Sequence, residues 1–336
     1  MKLTEVNYLR AFAIISIVIW HCLVCPLCAW SLIEPTVQTN IVGALSRFLI
    51  PDANMPLFTF ISGYLFAYLY KKNAEKYGNF KPFFKAKFER LVIPFLILGT
   101  LVNITVPERE LSMIIDGEGS HLWFCMMLFW CFMIRWAILK VNWKLLNWAM
   151  LLLSIAAIIY SKGNNWYLPE FPFSILGIRH AVFFYLYFVM GSFLYKNKEQ
   201  LLTFSKEKPV ILLILIGAYL FWVAASFLKI KYISAALAIS TSIFFIVLLH
   251  LWVLRFVEKG ILRPNKFIDT LCVYSFGIYV FHEWLSWGLY HQPFFFNLFE
   301  QYTIAYAFVF TIVDFAISFI LTHYALKTKV GKYLLL

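Results

Sequence analysis

The sequence predicts an all-α membrane protein, a polytopic bundle of about ten transmembrane helices. Of the 336 residues, 62% are hydrophobic and 14% are charged, whereas a water-soluble domain is about half apolar and about a quarter charged. Apolar runs long enough to cross a bilayer follow one another along the chain, and the basic residues lie between them. This pattern excludes a soluble nucleotide-binding enzyme, a disordered chain and a secreted disulfide scaffold.

The apolar runs define the spans in order. A backbone in hydrocarbon must satisfy its own hydrogen bonds, so runs of this length are expected to be helices. Because each span takes roughly 20 residues, the connections are short, and we expect a single transmembrane domain over residues 1–336 with no appended soluble domain. The predicted spans are residues 11–30, 52–70, 90–106, 121–139, 144–160, 179–195, 209–228, 232–254, 270–290 and 303–326.

The distribution of charge predicts the orientation. With the N-terminus inside, most of the 29 Lys and Arg residues fall in cytoplasmic segments, as the positive-inside rule requires. Ten spans then place the C-terminus inside as well. The net charge of +12 is explained by basic retained loops, so the sequence predicts no nucleic-acid partner.

Two ionisable residues stand in or beside the first span, where they are costly unless they face a cavity or a partner. Arg10 and His21 are eleven residues apart, which is three helical turns plus about 20° and an axial separation of about 16 Å. Both therefore point to one face, together with Asn7, Ile14 and Ile17. We expect this stripe to line an internal wall, with Arg10 at its cytoplasmic end.

The ninth span carries a second polar face. Ser275 and His282 are seven residues apart and share that face, and Ser286 lies one turn further on. Glu283 follows His282 directly and points about 100° away. A structural interpretation of His282, as a buried histidine hydrogen-bonded to a neighbouring helix, stays open beside a functional one.

At these residues the chain resembles the acyltransferase 3 family, bacterial membrane enzymes that O-acylate cell-surface glycans. The Arg-x10-His pattern of Arg10 and His21 is similar to the family's first-helix motif. Four further stretches resemble family motifs in the same order: Met55–Leu65, Lys87–Pro94, His121–Phe124 and Ser275–His282. Two positions differ from many relatives, since Asn54 stands where a His is frequent and Lys87 where an Arg is frequent.

The resemblance implies a reaction and a location. An acyl group, most often acetyl, passes from cytoplasmic acyl-CoA to a hydroxyl of an extracytoplasmic glycan or lipid-linked sugar. The partners are then acyl-CoA, the glycan acceptor and membrane lipids, and the location is the bacterial cytoplasmic membrane. Acyl-CoA serves as a co-substrate, and no metal is implied.

The residue types fit this reaction. Coenzyme A is a large anion, and Arg10, Lys85, Lys87 and Arg90 gather positive charge where it would bind. Arg90 is the better phosphate ligand, because a lysine is a point charge and not a bidentate fork. His21 either takes the proton of the sugar hydroxyl as a general base or carries the acyl group itself. We favour the general base.

The remaining site residues follow from the family motifs. Arg10 and His282 are assigned to catalysis with His21. Ser275, Tyr279 and Trp123 are assigned to substrate binding.

Two other groups of residues carry weaker signals. His121 and His180 lie at outer ends of spans, where solvation is the simplest interpretation and lining the acceptor entrance the alternative. The series Cys22-x-x-Cys25-x-x-Cys28 has no second Cys or His pair at ligand spacing nearby, so no metal site is expected.

Two other functions stay open. Ten spans with ionisable residues near the midplane also suit a secondary transporter or a lipid-linked sugar flippase, although two halves with matching hydropathy are not evident. A haem protein is the second, and it would need His21 and His282 to face each other across two helices.

Overall fold

The computed structural model describes residues 3–29, 32–49, 53–105, 112–117, 120–142, 144–164, 175–226 and 231–336. All regular secondary structure in these ranges is helical, which confirms the all-α class. The α-helices are α1 Thr4–Ile19, α2 Val37–Leu49, α3 Asn54–Lys72, α4 Ala74–Gly78, α5 Phe80–Lys87, α6 Ile93–Thr105, α7 Ser112–Ile115, α8 Trp123–Val141, α9 Lys144–Asn164, α10 Ile178–Lys196, α11 Lys198–Glu207, α12 Val210–Ser226, α13 Lys231–Glu258, α14 Lys266–Tyr290, α15 Pro293–Ala325 and α16 Lys329–Leu335.

The described residues contain several helices suited to a bilayer, so the chain is a multi-pass membrane protein. Helices α11 and α12, bent by 99° at their junction, would add one span as a pair. Helices α3 and α14 are long enough but carry more polar residues, and the count of ten spans stays a prediction. Six helical stretches are long and apolar enough to cross a membrane: Thr4–Leu27, Phe80–Thr105, Trp123–Val141, Ile178–Lys196, Ile239–Glu258 and Pro293–Ala325.

Large apolar side chains are exposed on the outside of the bundle, whereas polar side chains are buried within it. On α15, Phe308, Val309 and Ile312 are all more than half exposed, while Asp314 and Ser318 of the same helix are buried. This distribution is the inverse of a soluble protein's and is expected of helices that face lipid.

The first span changes its helical geometry where His21 lies. Helix α1 continues as a π-helical segment, Trp20–Ala29, which contains Pro26. Proline has no N–H, so Pro26 donates no backbone hydrogen bond within this segment. The hydroxyl of Tyr290 on α14 donates to the backbone carbonyl of Cys22 in the same segment at 3.0 Å. π-Helical segments are frequent at functional sites.

Helices α3 and α10 approach so closely that glycine is required in both. A Cβ atom on Gly63 would clash with the carbonyl of Phe188, and one on Gly191 would clash with the carbonyl of Phe60. Ser192 donates to the Gly63 carbonyl at 2.9 Å across the same contact. Small residues at helix contacts are typical of membrane bundles. Here they hold α3, which forms part of the wall of the cavity described below, against α10.

Helices α1 and α14 are joined along their length by polar contacts. Asn7 Nδ2 donates to Asp269 Oδ1 at 2.7 Å, and one turn further Arg10 Nη1 lies 3.6 Å from Cys272 Sγ. The pairing therefore brings the polar stripe of the first span against the polar face of α14.

Candidate active site

Four ionisable side chains from three parts of the chain meet at one point, and we call them the histidine cluster: His21, His121, His282 and Glu283. His21 comes from the π-helical continuation of α1, and His121 from the short 3₁₀ turn ahead of α8. His282 and Glu283 lie on α14. His282 is fully buried, and His121 and Glu283 nearly so. Ionisable groups buried together inside a membrane bundle indicate a functional site.

Hydrogen bonds define which nitrogens of the cluster carry protons. His21 Nδ1 lies 2.8 Å from His282 Nε2, and His282 Nδ1 lies 3.1 Å from the carbonyl oxygen of Ile278. A carbonyl oxygen only accepts, so Nδ1 of His282 carries a proton and Nε2 of the neutral ring accepts. Nδ1 of His21 is then the donor between the two rings, and Nε2 is the basic nitrogen of neutral His21.

Glu283 lies between two histidines. Its Oε2 is 3.6 Å from Nε2 of His21 and 3.6 Å from Nδ1 of His121. His121 Nε2 donates to the carbonyl oxygen of Val280 at 3.1 Å, so Nδ1 is the nitrogen that faces the carboxylate. The hydroxyl of Tyr279 donates to the backbone carbonyl of His121, which ties the 3₁₀ turn to α14.

Sequence reasoning did not assign Glu283 or His121 to the site. The helical spacing places Glu283 about 100° from His282 on α14. The ring of His21 nevertheless contacts both residues, His282 through Nδ1 and Glu283 through Nε2. The expectation that His121 is solvated is wrong, because it is 3% exposed. A signal was present in the sequence: an adjacent His-Glu pair inside an apolar span cannot leave both side chains in lipid.

The cluster also has the spacing of a potential metal site. Ligating atoms of His21, His282 and Glu283 all lie within 4.8 Å of one another. The 2.8 Å separation of the two histidine nitrogens is that of a direct hydrogen bond. Two nitrogens on opposite sides of a metal ion lie about 4 Å apart at bond lengths of about 2 Å, so the geometry that a haem requires is not present in this pair.

A cavity of about 490 Å³ lies beside the other end of the α1–α14 contact. We call it the cationic cavity, because Arg10, Lys76, Lys87 and Arg90 line it. Apolar side chains of α3, α8 and α14 form much of the remaining wall, and residues Tyr333–Leu336 close one side. Basic groups above an apolar slot suit a ligand with an anionic head and a slender tail.

The basic side chains of this region differ in their surroundings. Lys87 Nζ lies 3.7 Å from the centroid of the Phe132 ring, a cation–π contact. Arg90 is exposed and can move to meet a ligand. Burial raises the pKa of the Tyr77 phenol beside them, an effect that the charge of Arg90 opposes. Lys85 is 75% exposed, pairs with Glu89 at 3.9 Å and is not among the described residues that line the cavity.

Tyr279 separates the cationic cavity from the histidine cluster. Its side chain lines the cavity, as does Ser275 one turn earlier. The ring centroid of Tyr279 lies 5.7 Å from that of His282 and 5.0 Å from that of His121. Neither His21 nor His282 is among the described residues that line the cavity. A ligand in the cavity would therefore reach the cluster past the Tyr279 ring.

The structure does not bring Trp123 to the cavity. Its indole packs against His180, with ring centroids 4.6 Å apart, and against Phe184 of α10. Among the described residues that line the cavity, α8 contributes Phe124, Cys125, Leu128 and Phe132 instead. Trp123 thus lies next to the site, and its assignment to substrate binding stays a prediction.

The two parts of the site have different chemical capacities. The cationic cavity can hold an anionic ligand. The histidine cluster can accept a proton and pass it between two imidazole rings that are hydrogen-bonded to each other. The stripe of the first span joins them, since Arg10 lines the cavity and His21 belongs to the cluster.

Comparisons with known proteins are consistent with this arrangement. A family model described as Acyl_transf_3, acyltransferase domain, matches residues 3–323. Two curated proteins, from Staphylococcus epidermidis and from its strain ATCC 35984, are each 23% identical over 330 residues, with 90% of this chain and 85% of the relative covered. Both are described as a "probable poly-beta-1,6-N-acetyl-D-glucosamine export protein". No solved structure matches the chain at a significant level.

Proposed function

The chain belongs to the acyltransferase 3 family, and from this premise we propose that it transfers an acyl group, most often acetyl, from acyl-CoA to a hydroxyl of a surface glycan. The observation that carries the proposal is the first span, which presents Arg10 to the cationic cavity and His21 to the histidine cluster. One helix thus connects a site for an anionic donor with a site for proton transfer.

The donor occupies the cationic cavity in this proposal. Arg10, Lys87 and Arg90 contact the phosphates of coenzyme A, and Lys76 adds a fourth charge. The pantetheine arm follows the apolar wall towards Tyr279. Ten spans in the bacterial cytoplasmic membrane, with both termini in the cytoplasm, would place this cavity on the cytoplasmic side.

The chemistry takes place at His21. Nε2 of the neutral ring removes the proton of the sugar hydroxyl as its oxygen attacks the thioester carbonyl. A carbon–oxygen bond forms, the carbon–sulfur bond breaks, and the imidazolium returns the proton to the departing thiolate. His282 accepts the Nδ1 proton of His21 in a hydrogen bond and holds the reactive tautomer.

An amino-sugar polysaccharide is the acceptor class that the comparisons favour. The two relatives are named for poly-beta-1,6-N-acetyl-D-glucosamine, a polymer with many free hydroxyls. Their names also support a second candidate function, export of such a polymer, which corresponds to the transporter alternative. An export function predicts glycan movement without consumption of acyl-CoA, so one assay separates the two.

The test uses purified protein in detergent with radiolabelled acetyl-CoA and oligomers of β-1,6-linked N-acetylglucosamine. We expect release of coenzyme A together with label on the oligomer in the wild type. His21→Ala should lower turnover by at least about 100-fold, the contribution of a general base. His291→Ala, a change at the C-cap of α14 and outside the cluster, is the matched control and should retain activity.

Two results would contradict the proposal. An active His21→Ala protein would remove His21 as the base. A wild type that moves the oligomer across proteoliposomes while leaving acetyl-CoA and a panel of other acyl-CoA donors intact would favour export.

A further inference from the structure

Glu283 and His121 form a pair beside His21 that neither the family match nor the names of the relatives assign. We propose that these two residues are positioning residues for the acyl transfer: they share one proton, keep Nε2 of His21 available as the base and stabilise the imidazolium when His21 takes the substrate proton. The inference rests on the proposed function and adds to it a proton-holding partner for the base.

One carboxylate oxygen of Glu283 faces a ring nitrogen of each of two histidines. Glu283 Oε2 faces Nε2 of His21 and Nδ1 of His121, each at 3.6 Å. Both nitrogens carry lone pairs in the neutral rings, since the other nitrogen of each ring is the donor to His282 or to Val280. A proton on any one of these three groups would turn the repulsion between the carboxylate and the ring lone pairs into an attraction.

Before the reaction, this proton cannot lie on His21. If it lay on His21, the ring would already be an imidazolium and could not act as a base. A proton shared between Glu283 and His121 leaves His21 neutral and still satisfies the contact with His121. The nearly complete burial of both residues strengthens their interaction, because few water molecules compete for the charge.

During the reaction, the pair stabilises the charge that forms on His21. When the substrate hydroxyl gives its proton to His21, a positive charge forms 3.6 Å from Glu283 Oε2. The carboxylate stabilises that charge without any rearrangement of the protein, which is the role of a preorganised group. The proton then leaves His21 for the thiolate of coenzyme A, and the pair returns to its initial state with no net change.

Among the described residues, His21 and His282 face the pair within the cluster. Tyr279 of α14 adjoins it, with Cys125 of α8 beside Tyr279. The Tyr279 hydroxyl is already a donor to the His121 carbonyl. Glu283 is therefore the acidic group that faces His21 most directly among the described residues.

The test compares two substitutions that keep shape and change protonation. Glu283→Gln removes the negative charge, and His121→Gln retains a nitrogen able to donate to Val280 while it removes the nitrogen facing Glu283. Each variant should lower kcat by about 10- to 100-fold, the effect that one charge within about 4–6 Å has on the protonation of its neighbour. The KM for acetyl-CoA should stay within twofold, since neither residue lines the cationic cavity.

The pH dependence of kcat distinguishes this role from a purely structural one, because a structural role would not shift the acidic limb of the profile. His21 must be neutral to act, so activity falls as the pH is lowered. Without the charge of Glu283 the imidazolium is less stable, and the acidic limb should move to lower pH in Glu283→Gln. Without His121 the shared proton shifts towards His21, and the limb should move to higher pH in His121→Gln.

Glu300→Gln, an exposed change on α15, is the control and should match the wild type in both measurements. An acidic limb at the same pH in all variants, or an unchanged kcat in Glu283→Gln, would overturn the inference. His21→Ala would still test the base independently. If Glu283→Gln unfolds at a lower temperature than the wild type in a thermal melt of the detergent-solubilised protein, Glu283→Asp replaces it. Because Glu283→Asp keeps the negative charge, its acidic limb should lie near that of the wild type. A wild type without transfer activity would overturn the inference together with the proposed function.

Discussion

The cationic cavity and the histidine cluster share the first span and α14 but differ in how their ionisable side chains are held. The cavity is lined by long basic side chains, of which Arg90 is exposed. The cluster is buried, and its rings are fixed by bonds such as those from His282 to Ile278 and from His121 to Val280. A flexible charged surface suits a large anion, whereas proton transfer needs fixed distances.

This difference predicts that the two regions control different kinetic constants. Changes in the cavity should raise the KM for acyl-CoA, because they remove binding that is the same in the ground state and the transition state. Changes in the cluster should lower kcat, because they remove an interaction needed only in the transition state.

After loss of the base itself, the largest effect is expected for His282→Phe. The phenyl ring cannot accept the hydrogen bond from Nδ1 of His21, so the basic tautomer of His21 is no longer held in place. We expect kcat to fall by about 100- to 1,000-fold with a KM for acetyl-CoA within twofold of the wild type. Steady-state kinetics with purified protein measures both.

His282→Gln is the matched variant for that prediction, since its amide oxygen can accept the same bond. It should retain more activity than His282→Phe. Equal activity of the two variants would show that the bond to His21 does not matter, and a change in KM as large as the change in kcat would break the separation of the two regions.

Much of this arrangement could be predicted from the sequence, and the rest could not for a definite reason. The spacing of eleven residues predicts that Arg10 and His21 lie on one face of the first span. Both residues do contact α14. Periodicity describes one helix at a time. It cannot show which helix brings a third residue, so Glu283 and His121 emerge only when α1, α8 and α14 are packed together.

The same limit applies to the cations. The sequence places Lys85, Lys87 and Arg90 on one short segment and gives no means of ranking their positions in space. The structure turns Lys85 outwards and brings Lys76 from α4 to the cavity. The interruption of regular helix at Phe88–Val92, a π-helical turn between α5 and α6, changes the angular positions that a regular 100° spacing predicts.

An intermediate effect is expected for Arg90→Ala. Loss of one charge-assisted hydrogen bond to a phosphate should raise the KM for acetyl-CoA by about 10- to 100-fold and leave kcat nearly unchanged. Arg263→Ala, an exposed change outside the cavity, is the control. An unchanged KM in Arg90→Ala would remove the cationic cavity as the donor site, and Arg90→Lys should lie between the two.

The smallest effect is expected for Lys85→Ala, and it sharpens the comparison because the sequence gives this residue the same weight as its neighbours. Lys85 is three-quarters exposed, and its pair with Glu89 at 3.9 Å is a surface ion pair, which contributes little to stability. The KM for acetyl-CoA should therefore stay within about twofold of the wild type. Lys76→Ala removes the same charge from a residue that lines the cavity and should raise the KM more. If Lys85→Ala has the larger effect, the donor binds along the outer face of α5 and not in the cavity.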